Sequence, residues 1–172
     1  MKLITLTSSY KTEWESLISE FEENGEKLIP LAMKGHANTF EEFLIEAYKN
    51  SKGIDLPDGI VPSDIYFLVD DNSKYLIGAI DIRHYLNEYL LKYGGNIGYG
   101  IRPSERKKGY ATEMLYLALE ECKTKGLSKV LITCFKSNIA SANTIIKNGG
   151  ILENEIAEGG NVKQRYWIQL RE

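Results

Sequence analysis

Two apolar runs lying close together constrain this chain most: Ile65-Tyr66-Phe67-Leu68-Val69 and Tyr75-Leu76-Ile77-Gly78-Ala79-Ile80-Asp81-Ile82, separated by Asp70-Asp71-Asn72-Ser73. Short runs of apolar residues bounded by turn formers read as strands, and the polar tetrapeptide joins them as an antiparallel hairpin. Neither run alternates cleanly between apolar and polar. Both faces therefore need cover, which puts the pair at the centre of a layered structure.

Elements able to supply that cover lie on either side. Trp14, Leu17, Ile18 and Phe21 repeat at i, i+3, i+4 and i+7, the signature of one apolar helical face, and Asn24-Gly25 ends that helix. A short strand around Lys2 to Thr7 precedes it. A second amphipathic helix is predicted from Thr39 to Tyr48, with Thr39 and Glu42 as a capping box and Phe43, Leu44 and Ala47 on the buried side. From Ser51 to Ser63 the glycines and prolines impose a loop. After the link Arg83 to Tyr93, Asn96 to Ile101 is a third strand, stopped by Pro103. A helix from about Lys107 to Lys125, a strand Lys129 to Phe135, a helix from about Ile139 to Asn148, a strand from Ile151 and a last strand Val162 to Leu170 follow. Strands early and alternating strands and helices late predict one α/β (α+β) domain over 1–172, with helices packed on one mixed sheet.

Charge narrows the function classes. With 24 acidic against 21 basic residues the net charge is −3, which argues against a nucleic-acid binder, because polyanion affinity rests on Lys and Arg neutralising phosphates. The opening Met1 to Ser9 has one basic residue and too short an apolar run for a signal peptide, and no stretch could cross a bilayer. Cys122 and Cys134 lack metal-ligand spacing and read as buried free thiols. A cytoplasmic protein without a metal is expected, and its oligomeric state stays open, a homodimer included.

Chemistry concentrates in Gly98 to Thr112, a strand that ends at proline and passes through Arg106-Lys107-Lys108-Gly109 into a helix. Unpaired N–H groups and the positive dipole end at a helix start suit a pyrophosphate. Gly109 lets an anion approach the backbone, Ala111 keeps the next contact small, and three cations crowded at a helix N-terminus call for a compensating anion. Neither the Walker A phosphate loop nor the G-x-G-x-x-G dinucleotide fingerprint is present.

The stretch Ile101 to Ala111 resembles the acetyl-CoA motif of the GNAT-type N-acetyltransferase superfamily, R/Q-x-x-G-x-G/A opening a helix after an apolar strand end. A second match follows in order: Asn138-Ile139-Ala140-Ser141 resembles the family's N-x-x-[AS] helix, and Lys147-Asn148-Gly149 its K-x-G close. The resemblance spans about Ile65 to Leu170. It implies a sheet splayed open after the third strand, pantetheine paired with Gly100 and Ile101, phosphates held by Arg106, Lys107, Lys108, Gly109, Tyr110, Ala111 and Thr112, and further contacts from Asn138, Ser141 and Asn143. Asn138 also reads as a plain helix N-cap. The implied reaction transfers acetyl from acetyl-CoA to a primary amine by direct attack, and the rival reading is a CoA-binding regulatory module without turnover.

One position departs from the pattern. Where many members carry a tyrosine that protonates the departing thiolate, this chain has Ile145. Tyr99 and Tyr166 are then the candidate acids. His84, whose type titrates near neutrality, and Glu88 are candidate bases on the link after the second central strand, with substrate hydrogen bonding or plain packing as the other roles open to His84.

Overall fold

In the computed structural model, which describes residues 1–170, seven strands and four α-helices form in the predicted order. The last two residues of the span read as one domain lie outside the described residues. Strands β1 (Lys2–Ile4), β2 (Ser63–Val69), β3 (Leu76–Arg83) and β4 (Ile97–Ile101) pair in that order, every ladder antiparallel. Strands β5 (Lys129–Phe135), β6 (Ile151–Glu158) and β7 (Asn161–Gln169) form a second antiparallel sheet in the order β5-β7-β6.

The single mixed sheet predicted from element order is thus two antiparallel halves. They meet where Asn96 N–H donates to Leu131 O at 2.7 Å and Asn96 Oδ1 accepts Leu131 N–H at 2.8 Å. Beyond that clasp β4 and β5 form no ladder, and the outer edge of β4 is open. Gly95 permits the clasp, since its φ is +69° and a Cβ there would lie 2.5 Å from Leu131 O.

The two-sided burial expected of the hairpin is present, and it explains why β3 is apolar on both faces. One face, through Ile77, Ile80 and Ile82, packs with Met114, Leu115 and Ala118 of α3 (Tyr110–Thr124) and with Ile132, Tyr166 and Ile168 of the second sheet. On the other, Leu76 and Ala79 share a cluster with Phe67, with Trp14, Leu17 and Phe21 of α1 (Lys11–Glu23), and with Phe40 and Phe43 of α2 (Phe40–Lys52). Each such side chain contributes about 1.5–3 kcal/mol relative to exposure. Trp14 satisfies its buried indole N–H on Met33 O at 2.9 Å.

Several boundaries moved for local reasons. Helix α2 runs on to Lys52, because Gly53 at φ +68° closes it and lets Ile54 N–H bond back to Lys49 O at 2.9 Å. The capping box forms with a shift: Thr39 Oγ1 accepts Glu42 N–H, but the Glu42 carboxylate returns to Asn38 N–H rather than to that of Thr39. Helix α3 begins at Tyr110 instead of Lys107, since Lys107 at φ +64° and Gly109 at φ +86° are left-handed and cannot join a right-handed helix. Among the described residues no helix is long and apolar enough to cross a membrane.

Candidate acyl-transfer cleft

A cavity of about 450 Å³ opens between β4, the turn before α3, and α4 (Ile139–Lys147). Of the residues proposed to bind the cofactor, Gly100, Ile101, Arg106, Lys107, Gly109, Tyr110, Ala111, Thr112, Asn138, Ser141 and Asn143 line it, together with Tyr99. Lys108 does not. Its ammonium is turned onto Glu105, 2.9 Å away.

The ladder alternation shows which backbone groups reach into the gap. Arg83 N–H donates to Asn96 O, and Arg102 N–H to Ile77 O, both at 2.8 Å. Asn96, Gly98, Gly100 and Arg102 therefore spend their polar groups on β3, and the groups of Ile97, Tyr99 and Ile101 point the other way. The pairing expected of Gly100 and Ile101 thus shifts by one residue, to Tyr99 and Ile101. Gly100 is required for another reason, because a Cβ there would lie 1.9 Å from Ile29 O of the α1–α2 loop.

Along the turn, the backbone N–H groups from Lys107 to Ala111 have no acceptor among the described residues. Unpaired donors in a row at a helix start are what an anion site requires. The side-chain part of that prediction needs correction. Arg106 makes a two-pronged ion pair with Glu26 at 2.9 and 2.6 Å and donates through Nε to Ile101 O, so two of the three crowded cations already have carboxylates. The pair holds the Glu26 carboxyl below its ordinary value. Glu26 lies 80 residues away in sequence, out of reach of local reading.

Asn138 is the N-cap of α4, its Oδ1 accepting Ser141 N–H at 3.1 Å. The Tyr99 hydroxyl sits 2.9 Å from Ser141 Oγ, and burial, only partly opposed by the Ser141 hydrogen bond, pushes the phenol up to about 12. Ile145 is fully buried in the core. Glu105, Ala140, Thr144 and Lys147 also line the cleft without having been named as cofactor contacts, although Ala140 and Lys147 stand inside the two matched motifs. Helical spacing carried the signal for three of them: Ala140, Ser141, Thr144 and Lys147 share one face of α4.

The other catalytic candidates fall elsewhere. Tyr166 is buried in the core and donates to Gln164 Oε1 at 2.8 Å, and Glu88 is exposed; neither lines the cleft. His84 Nε2 is 2.8 Å from Asp64 Oδ2, which also takes the Lys125 ammonium at 2.6 Å, and Asp64 Oδ1 accepts Ser51 Oγ–H at 2.6 Å. This hub joins α2, β2, the end of β3 and the end of α3, whereas the turn of unpaired N–H groups lies at the start of α3. Burial works to raise the Asp64 pKa, but hydrogen bonds from Lys125, Ser51 and His84 together hold it below the usual value. A depressed folded-state pKa contributes stability above the unfolded carboxyl pKa, and that stability is lost as pH falls through the folded value. Asp64→Asn should therefore cost about 1–3 kcal/mol near neutrality and progressively less in acid. Equal destabilisation at pH 7 and pH 3 in urea titrations would count against the hub.

The cleft-forming elements coincide with a known domain. The family model described as an acetyltransferase (GNAT) domain matches residues 34–151, which run from before α2 through β5 and α4. No curated protein sequence matches the chain. Solved structures share the fold at low identity. A microcin C7 self-immunity acetyltransferase, in complex with acetyl-CoA and AMP, is 18% identical with TM-score 0.66 over 97% of this chain and 91% of its own. A Salmonella typhimurium acetyltransferase that modifies the N-terminal serine of a 50S ribosomal subunit protein is 14% identical, with TM-score 0.68 over 98% and 94%. A variant of a Vibrio cholerae spermidine N-acetyltransferase is 17% identical, with TM-score 0.66 over 99% and 95%. A splayed sheet with a row of unpaired N–H groups beside its open edge, matched over more than half of the chain by the domain model, has one reading: the chain belongs to the GNAT acetyltransferase family, the acetyl-CoA-dependent acyltransferases.

Proposed function

We propose that this protein transfers the acetyl group of acetyl-CoA to a primary amine within a ternary complex. The observation that carries this reading is the outward-facing backbone of Tyr99 with the Ile101 N–H, followed along the chain by the free N–H groups from Lys107 to Ala111. A long cosubstrate with amide groups along one part and a diphosphate at the other fits that order of contacts, as a free nucleotide does not. The solved relatives named for spermidine and for a ribosomal protein N-terminus support an amine acceptor.

The chain's own groups then have distinct tasks. Backbone N–H groups and Lys107 hold the phosphates, and the Tyr99 N–H steadies the charge that develops on the thioester oxygen. Such preorganised donors are worth several kcal/mol when they need no reorganisation during reaction. The Tyr99 hydroxyl, beside Ser141, gives a proton to the departing thiolate, the task left open by Ile145.

The test is release of free thiol from acetyl-CoA in the presence of spermidine, an aminoglycoside, a peptide with a free N-terminus and lysine in turn. We expect at least one amine to raise release well above background hydrolysis. CoA should also raise the melting temperature more than ATP does. If CoA binds and no amine is acetylated, the chain is a CoA-binding module instead.

A further inference from the structure

Strand β1 covers only part of β2. Its ladder ends at Ile4, opposite Phe67, and the chain leaves the sheet at Thr5 and Leu6. The alternation along β3 then assigns the groups of β2. Ile77, Ala79, Asp81 and Arg83 bond to β4, so Gly78, Ile80 and Ile82 bond to β2, at Leu68, Tyr66 and Asp64. Ile65 therefore turns its N–H and C=O toward the edge that β1 leaves uncovered, and neither group has a hydrogen-bond partner among the described residues. Ile65 is only 8% exposed. A backbone donor and acceptor so enclosed are almost always paired in folded proteins, because an unpaired one costs as much as a lost hydrogen bond.

That edge opens into a cavity of about 470 Å³, which shares no lining residue with the acyl-transfer cleft. Phe43, Leu44 and Ala47 of α2, with Leu6, give it apolar walls. Asp64 also lines it, but its carboxylate already holds Ser51, His84 and Lys125. The charge left over is that of Lys52, an exposed residue on the cavity that forms no ion pair among the described residues.

These features together specify an occupant. One N–H and one C=O from the same residue match one residue of an extended chain, which offers the complementary pair as an added strand does. A lone carboxylate or phosphate would satisfy the N–H and leave the C=O without a donor. A residue placed opposite Ile65 projects its side chain on the face of Ile65, where Phe43 packs, so that side chain has to be apolar. Lys52 calls for an acidic neighbour.

We infer that this edge of β2 is a docking site for an extended segment of a partner protein, which adds a short strand beside Ile65, buries one apolar side chain against α2 and pairs an acidic one with Lys52. The site is separate from the acetyltransferase reading and does not depend on it.

The test follows the Ile65 amide by ¹⁵N NMR. In the free protein it should exchange with deuterium at least about tenfold faster than the amides of Tyr66 and Phe67, which are bonded within the sheet. The probe is the peptide acetyl-Glu-Thr-Leu-Thr-Glu-amide, whose two acids serve either strand direction. It should move the Ile65 resonance saturably. N-methylation of its leucine, which removes the N–H that Ile65 O would accept, should weaken binding at least about tenfold, and lysines in place of the glutamates about threefold. Ala47→Leu, which fills the apolar wall, and Lys52→Glu should each weaken the peptide by similar factors while CoA affinity stays within about twofold. Lys52 is exposed, so that variant keeps the test open if Ala47→Leu does not fold. An Ile65 amide already protected in the free protein, or unmoved by the peptide at millimolar concentration, overturns the proposal. An equal shift with octanoate makes the cavity a small-carboxylate site, and a shift that follows protein concentration alone makes a second copy the occupant; either result refutes the partner segment. Failure of the wild type to bind CoA would strike the acetyltransferase reading and leave this site untouched.

Discussion

Gly109→Asp should weaken CoA binding at least about 100-fold, the largest single loss expected in the molecule. Gly109 has φ +86° and no atom within 4 Å of a notional Cβ, so the site tolerates bulk but requires the left-handed region. Aspartate tolerates that region at a cost of about 1 kcal/mol. Its carboxylate would lie at the mouth of the N–H cradle, where the diphosphate is expected. Two like charges about 5 Å apart near a protein surface repel by about 3 kcal/mol. The backbone cost falls on the free and the bound protein alike, so the repulsion sets the loss, which at 1.4 kcal/mol per tenfold comes to about 100-fold. Gly109→Asn separates the two, because asparagine matches aspartate in size and backbone tolerance but carries no charge. Calorimetry should find it within about tenfold of wild type. Equal losses for both variants would mean that shape, not charge, excludes the ligand, and that the phosphates lie elsewhere.

Tyr99→Phe should lower kcat by about 10²-fold or more and leave CoA affinity nearly unchanged. General acids typically contribute 10²- to 10⁴-fold, and Tyr99 is the phenol of the cleft whose hydroxyl is held beside Ser141 Oγ. A phenol pushed up to about 12 stays protonated at every practical pH, so the loss should be uniform across the pH–rate profile. Stability should fall by only about 1 kcal/mol, the net worth of the hydrogen bond to Ser141 Oγ. A near-normal kcat would show that the thiolate leaves without a proton. An ordinary thiol pKa near 8.5 makes that chemically tolerable, and Ser141→Ala would then test the neighbouring hydroxyl.

The departures from sequence expectation share a cause. The apolar period of 3.6 or 2 residues reports which face a segment buries, and it located α1, α2, β2, β3, α3 and β5 to within a few residues. Asn138 and Thr39 were legible as caps because a cap is a contact over three residues. His84 and Glu88 were drawn from the link after β3 because residue type and chain position suggested an acceptor-side base. Asp64 lies 20 residues from His84, and Lys125 41, and no local pattern reveals that the three converge.

The sequence by itself determined the class of fold and the order of its elements, and it marked the turn Arg106 to Ala111 as the candidate anion site, because each depends on period, propensity and helix-end geometry within one segment. Tertiary structure alone decided that the sheet divides at Asn96 and Leu131, that Tyr99 and Ile101 rather than Gly100 face the gap, and that Arg106 is held by Glu26. It also decided that His84 is paired on Asp64. Strand register and ion pairing join residues tens of positions apart, and their energies depend on distance in space, which the order of residues along the chain does not record.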